Sequence, residues 1–205
     1  MESTWIAWVR RLQAIAQNGL MFSKDPFDRE RYEQVRSVAA EILASYTEVG
    51  AALISDLFRE EEGYATPKID VRGAVFDANR ILLVREQSDG LWTLPGGWAD
   101  VGESAAEAVV REIREESGFE TQVRKLVALY DRNKHGHPPM LFHAYKAFFL
   151  CDLVGGRAAT SHETSAVAFF GQEELPPLST ARVTVRQIDR LFEHHANRVL
   201  PTEFD

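Results

Sequence analysis

The chain has 205 residues with 45% hydrophobic and 26% charged content, an ordinary composition for a soluble globular protein that buries a core. Its formal net charge of -8 argues against a nucleic-acid partner held by bulk electrostatics, because phosphate-backbone binding relies on a basic surface. Cys151 is the only cysteine, which excludes an internal disulfide; with no secretory leader and no apolar run of bilayer length, a cytoplasmic protein without a membrane partner is expected.

In chain order, residues 1–63 read as helical. Trp5, Val9, Leu12 and Ala16 recur at helical spacing until Gly19. Asp25-Pro26 or Asp28 can start a second helix carrying Tyr32, Val35, Val38, Ile42 and Tyr46, and Val49, Leu53 and Leu57 mark a third. Such short amphipathic helices bury little alone and need a surface to pack on, so they are expected to pair two copies of the chain or to shape the pocket. Tyr64 to Pro67 reads as a linker, and residues 66–205 form the second domain. There Ile69 to Val75 and Arg80 to Glu86 flank a turn at Asp77 to Asn79 and read as a β-hairpin. Further strands are expected at Trp92 to Leu94, Val123 to Tyr130, Leu141 to Asp152 and Ser165 to Phe170, and a last helix at Thr184 to His195. Mixed strands with a central and a terminal helix predict a layered α/β/α domain.

The chemistry is concentrated between Gly97 and Phe119, GWADVGESAAEAVVREIREESGF. Ser104 and Glu107 have the spacing of a capping box, Ala105, Val109 and Ile113 form an apolar stripe, and Gly118 stands where a left-handed residue ends a helix. On that helix Glu112, Glu115 and Glu116 crowd one face and repel one another. Something cationic has to offset that repulsion. Clustered carboxylate oxygens suit a hard divalent cation, above all Mg²⁺ with Mn²⁺ as a substitute, which keeps positions for water and for substrate phosphate. Gly96 and Gly97, having no Cβ, let the backbone approach such an ion and offer a carbonyl. Arg111 is placed to brace the carboxylates by pairing with Glu103 or Glu115.

Gly97, Glu103, Arg111, Glu112, Ile113, Glu115, Glu116, Gly118 and Phe119 occupy every fixed position of the Nudix box, G-x5-E-x7-R-E-U-x-E-E-x-G-U with U aliphatic or aromatic. The chain therefore resembles the Nudix hydrolases. The resemblance implies the Nudix α/β/α sandwich with a mixed sheet, preceded by a small all-helical N-terminal domain, and metal-dependent hydrolysis of a nucleoside diphosphate linked to another group. It extends beyond the box through FDRERYEQV, TPKIDVRGAVF, REQSDGLWTLPGGWADVGES, DRNKHGHPP and ELPPLST to the subfamily with N-terminal helices, hydrolases of X-linked nucleoside diphosphates. Members are similar to CDP-choline pyrophosphatase, and many relatives carry the name ADP-ribose pyrophosphatase. CDP-choline, cleaved to CMP and phosphocholine, is the expected substrate, and ADP-ribose is the alternative. RNA 3′-end or cap processing and a non-catalytic nucleotide sensor are the other readings; the acidic balance and the intact carboxylate set argue against them.

The resemblance also implies a role for Glu163 in SHETSAVAFF, a loop glutamate six residues ahead of Phe169, as general base or metal ligand. Arg72 and Arg85, on the paired strands, are read as pointing into the cleft to clamp phosphate oxygens. Arg132, Lys134, His135 and His137 share one polar loop, which reads as contacting phosphate or base, since no cysteine or carboxylate cluster completes a transition-metal site there. Trp92 and Trp98 flank the glycine turn, where Trp98 can stack on a base or a cation.

Overall fold

The computed structural model describes residues 4–205 and resolves into two compact units. One comprises the chain up to Pro67 together with Pro139–His143; the other is Lys68–Pro138 with Ala144–Asp205.

The first unit consists of α1 (Thr4–Phe22), α2 (Pro26–Ser45) and α3 (Ala51–Glu60). Asp25 caps α2 by accepting from the N–H groups of Phe27 at 2.9 Å and Asp28 at 3.0 Å, while Pro26 takes the first helical position, where no N–H is needed. The core gathers Val9, Ala39, Ala40, Leu43, Ile54 and Phe58, with Leu141 packed against it. Arg10 Nε donates to Met140 O at 2.9 Å, so the short returning segment is tied in by its backbone as well. Helix α1 does not stop at Gly19. A Cβ there would stand 2.3 Å from the ring of Tyr32, so this glycine lets α2 approach and the helix continues to Phe22. Trp8, Ile15 and Phe22, each seven residues apart, remain exposed along one face of α1.

The second unit is built on a seven-stranded mixed sheet of β1 (Lys68–Asp77), β2 (Arg80–Glu86), β3 (Trp92–Thr93), β4 (Phe119–Asp131), β5 (Ala144–Gly156), β6 (Thr164–Phe170) and β7 (Glu203–Phe204). The order is β3-β2-β1-β5-β4-β7, with β6 also on β2. Strands β1 and β2 meet antiparallel beside their turn, with Phe76 opposite Ile81. The long partner of β1 is instead β5, parallel from Lys68↔Ala144 to Val75↔Cys151. Strand β5 starts three residues later than its apolar run suggested, because Leu141 packs with the helical unit.

Helix α4 (Ala105–Ser117) packs Ala108, Val109 and Ile113 on Val71, Val75, Ala147, Phe149 and Cys151. It lies close to β1 because a Cβ at Gly73 would stand 2.5 Å from Ile113 Cδ1. Helix α5 (Val185–Ala196) covers the opposite face with Ile188 and Leu191 against Ala74, Tyr130, Phe148 and Leu150. The alternation of side chains along β1 and β5 thus feeds two cores, giving an α/β/α sandwich that follows the helical segment in the chain. Cys151 is buried, and burial pushes its thiol up to about 12. No helix among the described residues is long and apolar enough to cross a membrane.

Candidate active site

The site is laid out by the segment that leads into α4. This segment runs antiparallel along β1, with Pro95 O accepting from Gly73 N at 2.9 Å, Gly97 O from Val71 N at 2.8 Å, and Ala99 N donating to Ile69 O at 3.0 Å. At Gly96, with φ 141°, a Cβ would lie 2.0 Å from Val71 O, so no other residue fits that turn. The turn leaves the Gly96 N–H aimed at α4, where it donates to Glu116 Oε2 at 2.9 Å. Beside it, a Cβ on Gly97 would stand 3.0 Å from Glu112 Oε1. Two carboxylates of the helix therefore lie against the glycine turn. The helix is held at both ends, by the Ser104–Glu107 capping box and by Gly118 in the left-handed conformation.

Arg111 gathers most of the remaining acid. Its guanidinium donates to both oxygens of Glu103, at 2.8 and 3.0 Å, to Glu112 Oε1 at 2.9 Å and to Glu115 Oε2 at 3.1 Å. Both pairings anticipated for this arginine are present at once. Strand β6 starts against the C-terminal end of α4, where Thr164 Oγ1 donates to Glu116 O at 2.8 Å. Glu163, one residue earlier, is 60% exposed and pairs with His162 Nε2 at 3.1 Å.

Burial pushes the Glu116 carboxyl up to about 8, against the lowering pull of Arg72 and of the Gly96 N–H. Glu112 is raised for the same first reason, with Arg111 opposing. These are hard oxygen donors, crowded and short of compensating charge, and the donor set fits a divalent cation. Among the described residues no three His, Cys, Asp or Glu side chains converge as a ready-made ligand group. Arg111 and the Gly96 N–H between them take one oxygen of each of these carboxylates, Glu112 Oε1, Glu115 Oε2 and Glu116 Oε2.

Arg72 belongs to this site. It is 6% exposed, and Glu116 and Glu86 are among the carboxylates that raise its pKa after burial is overcome. Arg85 departs from expectation: it is exposed on β2, donating to Gly90 O at 2.7 Å. Ile81 and Leu83 on the same face are buried, and Arg85 is exposed near the end of the strand, where the register with β6 shifts between Arg85 and Glu86. Arg132 is buried, and its guanidinium donates to Pro138 O at 2.8 Å and Ala181 O at 3.1 Å, tying loops together. Lys134 is exposed on the same loop. His135 stacks on Tyr130 at 3.9 Å and meets Asp205 at 2.9 Å, and His137 stands 2.8 Å from Thr180 O. Trp98, 46% exposed, follows the glycine turn and bridges Asp70 on β1.

Three charged residues missed in the sequence lie at or below the site. Glu86 ends β2 in a buried position, raised by burial and countered by Arg182 and Arg72. Asp70 and Lys146 sit inside strands and are buried with Arg72. Their signal was a charge at an inward position of an otherwise apolar strand.

Comparison with known proteins gives matches along both parts of the chain. A family model described as a UDP-X-like, N-terminal oligomerisation domain matches residues 3–58, and the NUDIX domain model matches residues 66–192. The chain is 48% identical over 205 residues, 100% of its length and 99% of the relative's, to a Bacillus subtilis protein named putative ADP-ribose pyrophosphatase YjhB. Among solved structures, it is similar to a UDP-X diphosphatase, 35% identical with TM-score 0.65 over 98% of both chains. It is also similar to an ADP-ribose pyrophosphatase from Streptococcus suis, 41% identical with TM-score 0.64 over 68% of this chain and 100% of that one.

Proposed function

This chain belongs to the Nudix pyrophosphohydrolases, and from that premise we propose that it cleaves the diphosphate of a nucleoside diphosphate linked to a second group. The observation that carries the reading is the carboxylate set itself. Glu112 and Glu116 lie against the Gly96–Gly97 turn, and Arg111 holds Glu103, Glu112 and Glu115 beside them. CDP-choline and ADP-ribose are the two substrates supported about equally. The exposed indole of Trp98 beside the glycine turn suits the choline cation, by attraction to the ring face. The names of the Bacillus subtilis and Streptococcus suis relatives favour ADP-ribose.

Enzymes of this family use divalent metal cations. In our reading Glu112, Glu115, Glu116 and the Gly96 carbonyl hold them, with Mg²⁺ as the working ion and Mn²⁺ as a substitute. Such a cation, when bound, supplies charge neutralisation at the diphosphate and a lowered pKa for an attacking water. Glu163 takes the proton of that water from its exposed place at the start of β6. Arg72 donates to phosphate oxygens, and Arg111 with Glu103 keeps the helix carboxylates in register. A panel of CDP-choline, ADP-ribose, dinucleoside polyphosphates, nucleoside triphosphates and short RNA, with Mg²⁺ or Mn²⁺, tests the reading by release of monophosphate. Cleavage confined to one X-linked diphosphate is expected; a flat zero across the panel refutes it.

The helical unit pairs two copies of the chain through the Trp8, Ile15 and Phe22 face of α1, which agrees with the oligomerisation domain matched there. Trp8→Asp combined with Phe22→Asp should run as a monomer in light scattering where the wild type runs as a dimer.

A further inference from the structure

Below the carboxylates, on the α5 face of the sheet, three charged side chains are nearly closed to water: Lys146 at 0%, Arg72 at 6% and Asp70 at 7% exposure. Asp70 on β1 and Lys146 on β5 are direct partners in the parallel register, which sets ammonium and carboxylate side by side. Asp70 divides its oxygens, Oδ1 taking Arg72 Nε at 2.8 Å and Oδ2 taking the Lys146 ammonium. Arg72 Nη1 donates to Leu94 O at 3.1 Å, two residues before the Gly96 turn that holds Glu116. Nε and Nη1 of the guanidinium are thereby fixed. Its Nη2 makes no hydrogen bond among the described residues.

Two cations here share one hydrogen-bonded carboxylate, while Glu116 and Glu86 act on Arg72 from farther off, without a hydrogen bond to it. Lys146 has no exposed surface with which to touch a ligand, so any effect it has on one passes through its neighbours. We propose that Asp70 and Lys146 are positioning residues that lock Arg72 with Nη2 presented to a bound diphosphate. This rests on the reading that the site takes a diphosphate, and adds to it the groups that aim the arginine. Locking the guanidinium before binding removes the side-chain entropy that ordering it would otherwise cost.

The test is a double-mutant cycle in the full chain, read as the Kd for methylenediphosphonate with Mg²⁺, a diphosphate mimic whose P–C–P bridge does not hydrolyse. Arg72→Gln is expected to weaken binding about thirtyfold and Lys146→Met about tenfold, the range for hydrogen bonds to charged groups. Because Lys146 acts through Arg72, the double variant should be no weaker than Arg72→Gln alone. Losses that multiply to about three-hundredfold would show an independent role for Lys146 and overturn the inference. So would a folded Lys146→Met chain that binds as wild type does, or a wild-type chain that binds no methylenediphosphonate. Should Lys146→Met fail to fold, Asp70→Asn with Lys146→Met removes both charges of the pair and should show the same tenfold loss; wild-type affinity in that variant overturns the proposal. Turnover of CDP-choline or ADP-ribose is scored separately. A chain that shows the coupled binding losses and cleaves nothing in the full panel keeps the inference and loses the functional reading; a chain that cleaves an X-linked diphosphate with uncoupled losses does the reverse.

Discussion

Two glutamates of the sandwich, the buried Glu116 on α4 and the half-buried Glu203 on β7, sit in opposite electrostatic states. Burial acts on both by raising the carboxyl. At Glu203 it is outweighed by Arg190, the Tyr130 hydroxyl and His194, whose Nε2 stands 3.0 Å away, and the group is held down at about 2. At Glu116 the neighbours are a backbone N–H and a more distant Arg72, burial prevails, and the group rises to about 8. The protein has therefore completed the shell of one carboxylate and left the other short. A completed shell ties β7 to α5 and β4, whereas the incomplete one belongs to the carboxylate for which a cation is proposed above.

The sharpest way to break this contrast is Glu116→Gln. Turnover should fall by about a hundredfold or more, because a lost ligand weakens transition-state charge stabilisation. The fold should remain, and the melting temperature without metal should hold or rise, since an under-compensated buried acid has been removed. Glu112→Gln should behave alike. Near wild-type turnover at saturating Mg²⁺ in either variant would dissolve the distinction.

Glu163→Gln sharpens the same comparison from the exposed side of the site. A tens-fold to about a hundredfold loss in kcat, larger than any change in KM, is expected if this carboxylate takes the proton. Full activity with an unaltered pH–rate profile would pass the role to another group.

Glu203→Gln is the mirror experiment. It should leave kcat within about twofold while costing about 1–3 kcal/mol of unfolding free energy in denaturant titrations, the range for hydrogen bonds to a charged group. A variant that lost activity and kept its stability would exchange the roles assigned to the two glutamates.

The smallest expected effect is in pH. The folded carboxyl of Glu203 lies at about 2 against an ordinary 4.5, so ionised Glu203 contributes stability that is complete above pH 4.5 and is lost as pH falls through about 2. The stability difference between wild type and Glu203→Gln should thus be flat above pH 4.5 and narrow below it. A difference that narrowed on raising the pH instead would contradict the sign of the shift.

Much of α4 was legible before any fold was known, because its caps, its apolar stripe and its glutamates act within three or four residues of one another. The same locality exposed α2 behind Asp25 and α5 through its apolar spacing from Thr184 to His195. Local spacing did less well where a residue had two readings. Gly19 looked like a stop and is a packing site for Tyr32, and Arg85 looked like a clamp and points to solvent.

What the sequence by itself determined is the helix that carries the carboxylates and the order of elements around it, since capping and periodicity depend on neighbours along the chain. Tertiary structure alone decided that β1 pairs with β5 across the sheet, that Asp70 therefore meets Lys146 beneath Arg72, that Leu141 leaves the strand for the helical core, and that Glu203 finds its three donors. A charged residue in a strand has the same local pattern whether its partner is water or a buried ion, and the partner is named only when distant backbone comes into register.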